Sequence, residues 1–463
     1  MLNVAHSPEE RRLSSPPPSD TPAKTFGLAS GIGLVVANMV GAGVFLSTGF
    51  MAQSLGPGHI LLAWLIGAGL ALCGAVAYAE VARLVPHSGG EYRFLSTLLH
   101  PSLGYLAGWA SLLVGFSAPI ALDALAAGAF ARAVWPTVDP RLVGGAFILA
   151  LTALHAIGLE LSARAQNVLV GLKVLLVLGF VAVGLSLGTV AWPTWQPPQP
   201  GPSPWPDLVG SLFFIAFAFS GWNAAVYAAE EFKRPGRDVP RAMLIGCAAV
   251  GALYLVVNYL FVANLTPQQG TVVFQYDDFT SLKGQYEQVT LGQAVMAQLL
   301  GAGAARTMSG VMVLLFASAM SAMMLVGPRV YAAMARDGYL PASLAGAKGK
   351  PPVAAVVLQG ALALVLLLTH DVRTVLSNVG AILVLFAALT VGGLFRAAVT
   401  ARDAHARPRP LALAAAGVYV LSSGWMLYTG FKRTPVLLAW ILGVALVALV
   451  AWWGTRRFSG RTA

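Results

Sequence analysis

Long apolar runs follow one another along the chain, separated by short polar or proline-containing stretches. Each run has about 20 residues or more, the length that an α-helix needs to cross the roughly 30 Å hydrocarbon layer of a bilayer. We therefore predict a polytopic, all-α membrane protein. The twelve predicted spans cover residues 26–54, 59–84, 103–133, 142–160, 164–188, 208–230, 241–265, 303–335, 353–370, 374–398, 410–430 and 435–454.

The polar segments between the runs differ in character. Residues 1–24 are rich in proline and serine and contain no apolar run, so we expect a disordered cytoplasmic tail and not a cleaved signal peptide. Residues 192–207 are rich in proline and contain no lysine or arginine, as expected of a stiff extracytoplasmic connection. The loop over residues 266–300 is expected to carry a short lid helix.

The first ten spans group into two sets of five. The sets have similar lengths, and because five is odd the second begins on the opposite side of the membrane, which is the arrangement of an inverted repeat. The expected organisation is a tail over residues 1–24, a first repeat over 25–189, an extracytoplasmic loop over 190–207, a second repeat over 208–400, two further helices over 401–456 and a C-terminal cytoplasmic tail over 457–463.

Composition and charge agree with a membrane protein. Hydrophobic residues make up 57% of the chain and charged residues 10%, against roughly 25% charged residues in soluble domains. The net charge of +11 does not indicate a nucleic-acid partner, because the basic residues stand singly beside the apolar runs. Most of them fall on the side of the N-terminus, which by the positive-inside rule places both termini in the cytoplasm.

The sequence offers little to an enzyme or a metal. Its two cysteines, Cys73 and Cys247, lie inside apolar runs, which excludes a disulfide framework or a zinc site. No HExxH, P-loop or CxxC pattern occurs. We therefore expect no enzymatic activity, cofactor or metal. A channel or a receptor is an alternative class with a similar number of spans.

Two predicted spans contain glycine interruptions. Residues 38–45 (NMVGAGVF) hold Gly41 and Gly43, and residues 217–223 (FAFSGWN) hold Gly221. A broken helix leaves N–H and C=O groups unpaired, which is costly in hydrocarbon unless the break lines a cavity. Breaks at matching places in two repeats therefore favour a binding site near the middle of the membrane. The alternative is that these glycines are small-residue packing positions.

Five motifs together resemble the amino acid, polyamine and organocation transporters. They are residues 40–45 (VGAGVF), 86–92 (PHSGGEY), 108–109 (GW), 230–242 (EEFKRPGRDVPRA) and 329–341 (RVYAAMARDGYLP). Gly221, Trp222 and Asn223 resemble the L-type amino acid exchanger branch and its bacterial relatives. The resemblance implies a LeuT-type fold, in which a five-plus-five inverted repeat is followed by two C-terminal helices.

The backbone at the two breaks suits an α-amino acid. The N-terminus of a half-helix favours a carboxylate, whereas freed carbonyls favour an ammonium. The candidate carboxylate-binding residues are Gly41, Ala42 and Gly43, and the candidate ammonium-binding carbonyls are those of Met39, Phe217 and Ser220. A bulkier residue at Gly43 is expected to block binding and leave the fold intact. Serine, which is commoner in the family than Ala42, is expected to be tolerated.

Further candidates belong to side chains around this site. Phe217 matches the aromatic gate of the family, with ordinary helix packing as the alternative. Trp222 and Asn223 are candidates for the side-chain pocket, and so is Asp123, a lone carboxylate inside the third span. Asp123 is a counter-ion for a cationic substrate, a protonatable group, or a structural residue bonded to a neighbour.

Lys173 is the one cation well inside a predicted span. A lysine near the middle of a bilayer is a functional candidate by default, and its position resembles the fifth-helix lysine of sodium-independent family members. There the ammonium takes the place of a sodium ion, and the candidate partners here are the Gly33 region, Ser318 and Ser321. Lys173 is either a permanently charged tie or a group that cycles a proton, and both exclude sodium coupling.

Together these observations predict sodium-independent secondary active transport of L-amino acids by alternating access, through exchange or proton coupling. The expected location is the plasma membrane, which is the inner membrane of a bacterium. The expected partners are a small-molecule amino acid and the lipid bilayer, without nucleic acid or sodium. The alternative function is antiport of cationic amino acids or polyamines, with Asp123 as the side-chain counter-ion.

Overall fold

The described part of the chain is helical. A computed structural model describes residues 26–189, 191, 193–196, 203–265, 291–347, 352–369, 372–401, 403, 407–433 and 435–459. Within these ranges the β structure is a single bridge between Phe26 and Phe232. The predicted tail over residues 1–24 lies outside the described residues, and so do residues 197–202 of the proline-rich loop and residues 266–290 of the predicted lid loop.

Seventeen α-helices make up the described structure. In chain order they are α1 (Leu28–Met39), α2 (Ala42–Met51), α3 (Pro57–Leu84), α4 (Glu91–Leu98), α5 (Pro101–Ala110), α6 (Ser117–Val134), α7 (Pro140–Ile157), α8 (Leu159–Leu187), α9 (Trp205–Ala218), α10 (Ala224–Tyr227), α11 (Pro235–Asn264), α12 (Leu291–Leu300), α13 (Ala302–Arg336), α14 (Val353–Thr369), α15 (Val372–Thr400), α16 (Pro410–Arg433) and α17 (Val436–Ser459). A six-residue π-helical segment (Ser111–Phe116) joins α5 to α6.

Many of these helices are long and apolar enough to cross a membrane. Nine such segments occur among the described residues, and one of them contains α1 and α2 in line. Shorter apolar helices add to them over Trp205–Ala218, Leu291–Leu300, Val353–Thr369 and Leu438–Trp453. The chain is therefore a polytopic helical membrane protein, as the apolar pattern predicted. The count of twelve spans and the inverted repeat stay predictions.

Several helices begin where the sequence supplies a favourable first turn. Pro57, Pro140 and Pro235 each open a helix, where the missing N–H removes a group that has no intrahelical partner anyway. Asp139 accepts a hydrogen bond from the amide of Arg141 and so caps the start of α7. Local chemistry of this kind fixes where the spans start.

Both glycine interruptions are present in the structure. At the first interruption, α1 ends at Met39 and α2 begins at Ala42. At the second, α9 ends at Ala218 and α10 begins at Ala224. The longest helix, α13, is buried over most of its length and packs against α6, α7 and α8. Val40 at the first break and Phe219 and Trp222 at the second are buried.

Candidate functional site

The interruption between α1 and α2 consists of Val40 and Gly41. Val40 has a ψ of 88°, outside the helical range, and Gly41 is extended. The last four carbonyls of a helix have no partner within it, so the carbonyls at the end of α1 need partners from elsewhere. In a buried region, other protein groups or ordered water supply them.

Lys173 of α8 supplies two of these partners. Its ammonium donates to the carbonyl of Ala37 at 2.9 Å and to that of Val40 at 2.6 Å, and only 1% of Lys173 is exposed. These carbonyls lie about one and two turns beyond Gly33, because the carbonyls without an intrahelical partner are those at the end of α1. The Lys173 side chain is therefore hydrogen-bonded to the backbone at the first interruption.

The two serines proposed to join Lys173 form no hydrogen bond with it among the described residues. Ser318 and Ser321 are both buried on α13, but neither is among the hydrogen-bond partners of Lys173 in the part of the chain that the structure describes. The Ser321 hydroxyl lies 2.9 Å from Nε2 of His155 on α7. Ser321 thus connects α13 to α7 in this conformation.

Tyr254 of α11 contacts both interruptions. Its hydroxyl lies 2.6 Å from the carbonyl oxygen of Met39 and 3.1 Å from that of Ala218, and the residue is buried. The Met39 carbonyl also accepts a hydrogen bond from the amide of Gly41 at 2.9 Å. The single hydroxyl hydrogen of Tyr254 is therefore shared between the carbonyls at the ends of α1 and α9.

The second interruption covers residues 219–223. The amide of Ser220 donates to the carbonyl of Phe217 at 2.9 Å. Gly221 has a φ of +99°, in the left-handed region that favours glycine. A Cβ atom added to Gly221 would lie 2.8 Å from the carbonyl carbon of Asn38 on α1. The two interrupted helices are therefore in direct contact.

Asp123 of α6 stands beside the first interruption and is 1% exposed. A Cβ atom added to Gly41 would lie 3.4 Å and 3.5 Å from its two carboxylate oxygens. Asp123 also acts electrostatically on Lys173 and on Tyr254. The structure thus brings an acid, a base and the candidate carboxylate-binding Gly41 into one buried region.

Gly43 makes the contact between α2 and α9. A Cβ atom on Gly43 would lie 2.5 Å from Cα of Ala218 and 3.1 Å from its backbone nitrogen. Because backbone atoms cannot move aside cheaply, a larger residue here would separate the two helices. This corrects the expectation that a bulkier residue at Gly43 would leave the fold intact.

A cavity opens beside the second interruption. Asn38, Ser220, Trp222 and Asn223 line it, together with residues of α3, α5, the π-helical segment, α15 and α16. Asp123, Phe217 and residues 39–43 are not among its lining residues. The candidate site residues therefore fall into two groups, one at the break around Lys173 and one around this cavity.

Glu91 joins three elements at the cavity wall. Its carboxylate accepts hydrogen bonds from the hydroxyl of Tyr78 at 2.9 Å, the hydroxyl of Tyr227 at 2.6 Å and Nδ2 of Asn223 at 2.6 Å. The ring of Trp222 packs edge-on against Tyr78, with ring centroids 4.7 Å apart. Glu91 thus connects α3 to Asn223, the last residue of the second break, and to Tyr227 of α10.

Ion pairs lie on the side of the bundle where α1 begins. Arg329 of α13 binds Glu231 through two hydrogen bonds, Nε to Oε1 at 2.5 Å and Nη2 to Oε2 at 3.0 Å. Asp337, which follows α13, lies 2.7 Å from Arg93 and accepts a hydrogen bond from Tyr92 of α4. Burial and the Asp337 carboxylate raise the pKa of Tyr92 well above its ordinary value.

Sequence reasoning gave no role to Tyr254 or Glu91. One sequence feature could have indicated a role for Tyr254: it is a tyrosine in the middle of an apolar helix. A buried tyrosine hydroxyl needs a hydrogen-bond partner, so a polar contact at this position could have been expected. For Glu91 the feature was the preceding pair Gly89 and Gly90, both of which adopt a positive φ. Such a pair turns the chain sharply and directs the following carboxylate inward.

All of these residues lie within a stretch that matches a known family. The sequence model of the amino acid permease family matches residues 26–456. The chain belongs to the amino acid permease family. The permease therefore has, as the sequence motifs indicated, a transporter fold and not the scaffold of an enzyme.

Three relatives illustrate the similarity. Over 396 residues the permease is 28% identical to the human large neutral amino acids transporter small subunit 2, an alignment covering 80% of the permease and 69% of the relative. The mouse Asc-type amino acid transporter 1 is 25% identical over 450 residues, covering 92% of the permease and 79% of the relative. The mouse b(0,+)-type amino acid transporter 1 is 27% identical over 398 residues, covering 82% and 77%.

These relatives are amino acid transporters of the L-type exchanger branch, which confirms the predicted resemblance. The permease is thus a multi-pass membrane protein of a family that moves amino acids. The names of its relatives differ in the class of amino acid transporter that they state, so the family alone does not fix a substrate.

Proposed function

We propose that the permease is a sodium-independent secondary active transporter of L-amino acids that works by alternating access in the plasma membrane. The observation that carries this proposal is the contact between the two interrupted helices, where Gly221 lies against Asn38. Interrupted helices in a membrane protein place unpaired backbone groups where a ligand is able to use them. The relatives, all named as amino acid transporters, support the same function.

Recognition of the substrate is assigned to the backbone. The substrate carboxylate faces residues 41–43 at the start of α2, where helix amides have no intrahelical partner. The substrate ammonium faces the carbonyls of Met39, Phe217 and Ser220. In the described conformation Met39 already accepts from Tyr254, and Phe217 accepts from the Ser220 amide. A bound ammonium therefore shares or replaces these donors.

Three side chains complete the proposed site. Phe217, buried at the end of α9, serves as the gate. Trp222 and Asn223, which line the cavity, contact the substrate side chain. The cavity lining contains one acidic residue, Glu91, and no lysine or arginine.

Independence from sodium follows from Lys173. Its ammonium occupies the carbonyls of Ala37 and Val40, which are the type of oxygen ligand that a sodium ion would need. A second cation at the same carbonyls would be repelled by the fixed charge. Lys173, with Ser318 and Ser321 on the neighbouring helix, is accordingly proposed to replace a coupling ion and to move with the transport cycle.

We propose the same organisation as the motifs imply. Residues 25–189 and 208–400 form two inverted repeats, two helices follow over 401–456, and both termini lie in the cytoplasm. The positions of the interruptions support this division, because α1 with α2 opens the first repeat and α9 with α10 opens the second.

Counterflow into proteoliposomes tests the proposal. Liposomes that contain the purified permease are loaded in turn with each of the twenty amino acids. Protein-free liposomes serve as the control. We expect saturable exchange of L-amino acids that discriminates against the D-enantiomers. Passive ion conductance without amino acid exchange would contradict the proposal.

Replacing sodium with choline on both sides tests the sodium claim separately. We expect an unchanged initial rate, because no sodium site has to be filled. A fall of about tenfold, equivalent to about 1.4 kcal/mol, would refute it.

A second candidate is antiport of cationic amino acids or polyamines. The burial of Asp123 beside Gly41 favours this candidate, because a buried carboxylate attracts a substrate cation. Putrescine and lysine are added as competitors to the counterflow assay. If putrescine competes as well as neutral amino acids do, this second function takes the place of the first.

A further inference from the structure

We infer that the cavity beside the second interruption selects neutral amino acids whose side chain donates hydrogen bonds, a primary amide such as that of glutamine above all. The residues that make this selection are Asn38 and Asn223, and Glu91 positions Asn223 for it. This selectivity rests on the proposed function, because the substrate backbone has to lie at the interruptions for its side chain to enter the cavity.

The cavity adjoins the place proposed for the substrate backbone. Asn38, which lines the cavity, directly precedes Met39 at the end of α1. Ser220 belongs both to the lining and to the carbonyls proposed to bind the substrate ammonium. For a substrate held at the two interruptions, the cavity is therefore the adjoining space that is able to receive its side chain.

Glu91 and Tyr227 determine which end of the Asn223 amide is left for a ligand. A carboxylate accepts hydrogen bonds and does not donate them, so the Asn223 atom that lies 2.6 Å from Oε1 of Glu91 is the amide nitrogen. The same nitrogen donates to the Tyr227 oxygen at 3.1 Å, and the Tyr227 hydroxyl donates its own hydrogen to Glu91 at 2.6 Å. Both N–H groups of Asn223 are thus used, and its oxygen remains.

Asn38 offers a second amide oxygen. Its nitrogen donates to the carbonyl of Leu34 at 2.8 Å, and only 4% of Asn38 is exposed. Within the part of the chain that the structure describes, neither the Asn38 oxygen nor the Asn223 oxygen accepts a hydrogen bond. Both residues line the cavity, and neither oxygen is closed off from it. The cavity therefore presents two amide acceptors to a ligand.

The charge of the lining disfavours an anion and gives a cation little advantage. The acidic residue of the lining is Glu91, and no lysine, arginine or histidine belongs to it, so a substrate anion would meet a carboxylate and two amide oxygens. A substrate cation would compete for Glu91 with its three donors, Tyr78, Tyr227 and Asn223. A neutral donor satisfies the amide oxygens and leaves these hydrogen bonds in place.

A primary amide suits this set of groups best among neutral side chains. Its nitrogen carries two N–H donors, which match the two oxygens of Asn38 and Asn223. Its oxygen accepts from an N–H or O–H, and the lining contains the indole of Trp222 and the hydroxyl of Ser220. A buried acceptor left without a donor costs free energy, so an apolar side chain of the same size is bound less well. Glutamine is therefore preferred to methionine.

Competition in counterflow tests this selectivity on the wild-type permease. The competitors are glutamine, glutamate and methionine, whose side chains have similar lengths, and lysine as a cation. We expect glutamine to compete about tenfold more strongly than methionine, a ratio that one neutral hydrogen bond is able to supply, and glutamate to compete least.

The opposite orders of competition separate the inference from the proposed function. Methionine that competes as strongly as glutamine would overturn the inference and leave the proposed function standing, because amino acids are still exchanged. Lysine that competes more strongly than glutamine would overturn the inference too, and would favour selection by the Glu91 charge. Exchange of no amino acid at all would overturn both.

Asn38→Leu and Asn223→Leu remove the two acceptors. In each variant the ratio of glutamine to methionine kcat/KM should fall about tenfold. Asn264→Leu is the matched control, because Asn264 is also a buried helical amide that donates to the carbonyl four residues earlier. Its oxygen, however, accepts from the Thr189 amide at 2.7 Å, and it does not line the cavity. A fall of the same size in the control would overturn the inference.

Glu91→Gln tests whether Glu91 positions Asn223. A glutamine at this place is able to donate to the Asn223 oxygen, which lets the Asn223 amide turn its nitrogen towards the cavity. The measurement is the shift of the thermal unfolding midpoint with each amino acid, which requires no transport. We expect the preference for glutamine over methionine to fall and the shift with glutamate to rise, changes that lost stability alone would not cause. Unchanged relative shifts would overturn the positioning of Asn223 by Glu91.

Discussion

Gly221 lies directly against Asn38, so that a Cβ atom on Gly221 would stand 2.8 Å from both the carbonyl carbon and the Cβ atom of Asn38. This is the point at which the two interrupted helices meet. The positive φ of Gly221 adds a second requirement for glycine. Conformation and space therefore both exclude a side chain at this position.

Gly221→Ala should destabilise the permease and abolish transport. The unfavourable φ costs about 1–3 kcal/mol, and the contact with Asn38 adds to it by pushing α1 away. The measurements are the thermal unfolding midpoint in detergent and counterflow in liposomes. Gly210→Ala in α9 is the matched control, because a Cβ atom there meets nothing within 4 Å. Equal behaviour of the two variants would contradict the prediction.

Gly43→Ala should lower stability, whereas Gly41→Ala should not. A Cβ atom on Gly43 meets the Ala218 backbone at 2.5 Å, but one on Gly41 makes ordinary contacts at 3.4 Å. Overpacking of the first kind costs about 1–3 kcal/mol. The Gly41→Ala variant should stay folded and bind the amino acid more weakly, since its methyl group occupies the proposed carboxylate position. Thermal unfolding and ligand binding measured on both variants separate the two effects.

Lys173→Met should destabilise the permease strongly and stop transport. The change leaves the Ala37 and Val40 carbonyls without their donor and Asp123 without its counter-charge, and removal of one partner of a buried pair costs about 3–5 kcal/mol. Thermal unfolding and counterflow are the measurements. Lys173→Met combined with Asp123→Asn should regain part of the lost stability, because the uncompensated charge is then gone. Wild-type flux in Lys173→Met would show that the lysine has no part in transport.

Glu91→Gln should weaken the connection between α3 and the segment after the second break. A glutamine offers a single acceptor oxygen, whereas the Glu91 carboxylate accepts from Tyr78, Tyr227 and Asn223. Hydrogen bonds to a charged group contribute about 1.5–3 kcal/mol each, so a fall in unfolding temperature is expected. Glu230→Gln is the matched control, since that side chain is 43% exposed. A larger loss of stability in the control would contradict the assigned role of Glu91.

The sequence predicted the helices and the interruptions well, because both depend on local features. Apolar length sets the spans, and Gly41 and Gly221 mark the breaks. These are properties of a few neighbouring residues. Their consequences are the same wherever the segment lies in the bundle. The helix starts at Pro57 and Pro235 lie two and six residues before the predicted spans, which begin at residues 59 and 241.

The partners of the breaks could not be predicted in the same way. Tyr254 is 215 residues away from Met39 in sequence, and Lys173 is 133 away from Val40. Which side chain contacts which carbonyl depends on how the helices pack. The hydrophobic periodicity of the sequence does not contain this information. For the same reason the sequence did not reveal that Gly43 packs against the Ala218 backbone.

The bridge between Phe26 and Phe232 joins the start of the first span to the loop after α10. The Phe26 amide donates to the Glu231 carbonyl at 3.0 Å, and the Lys233 amide donates to the Phe26 carbonyl at 2.9 Å. The Glu231 side chain is also bound by Arg329. The start of α1 is therefore linked to α13 through Glu231. A movement of the start of α1 must therefore take residues 231–233 with it or break these two backbone hydrogen bonds. If residues 231–233 move, the hydrogen bonds between Glu231 and Arg329 of α13 oppose the movement.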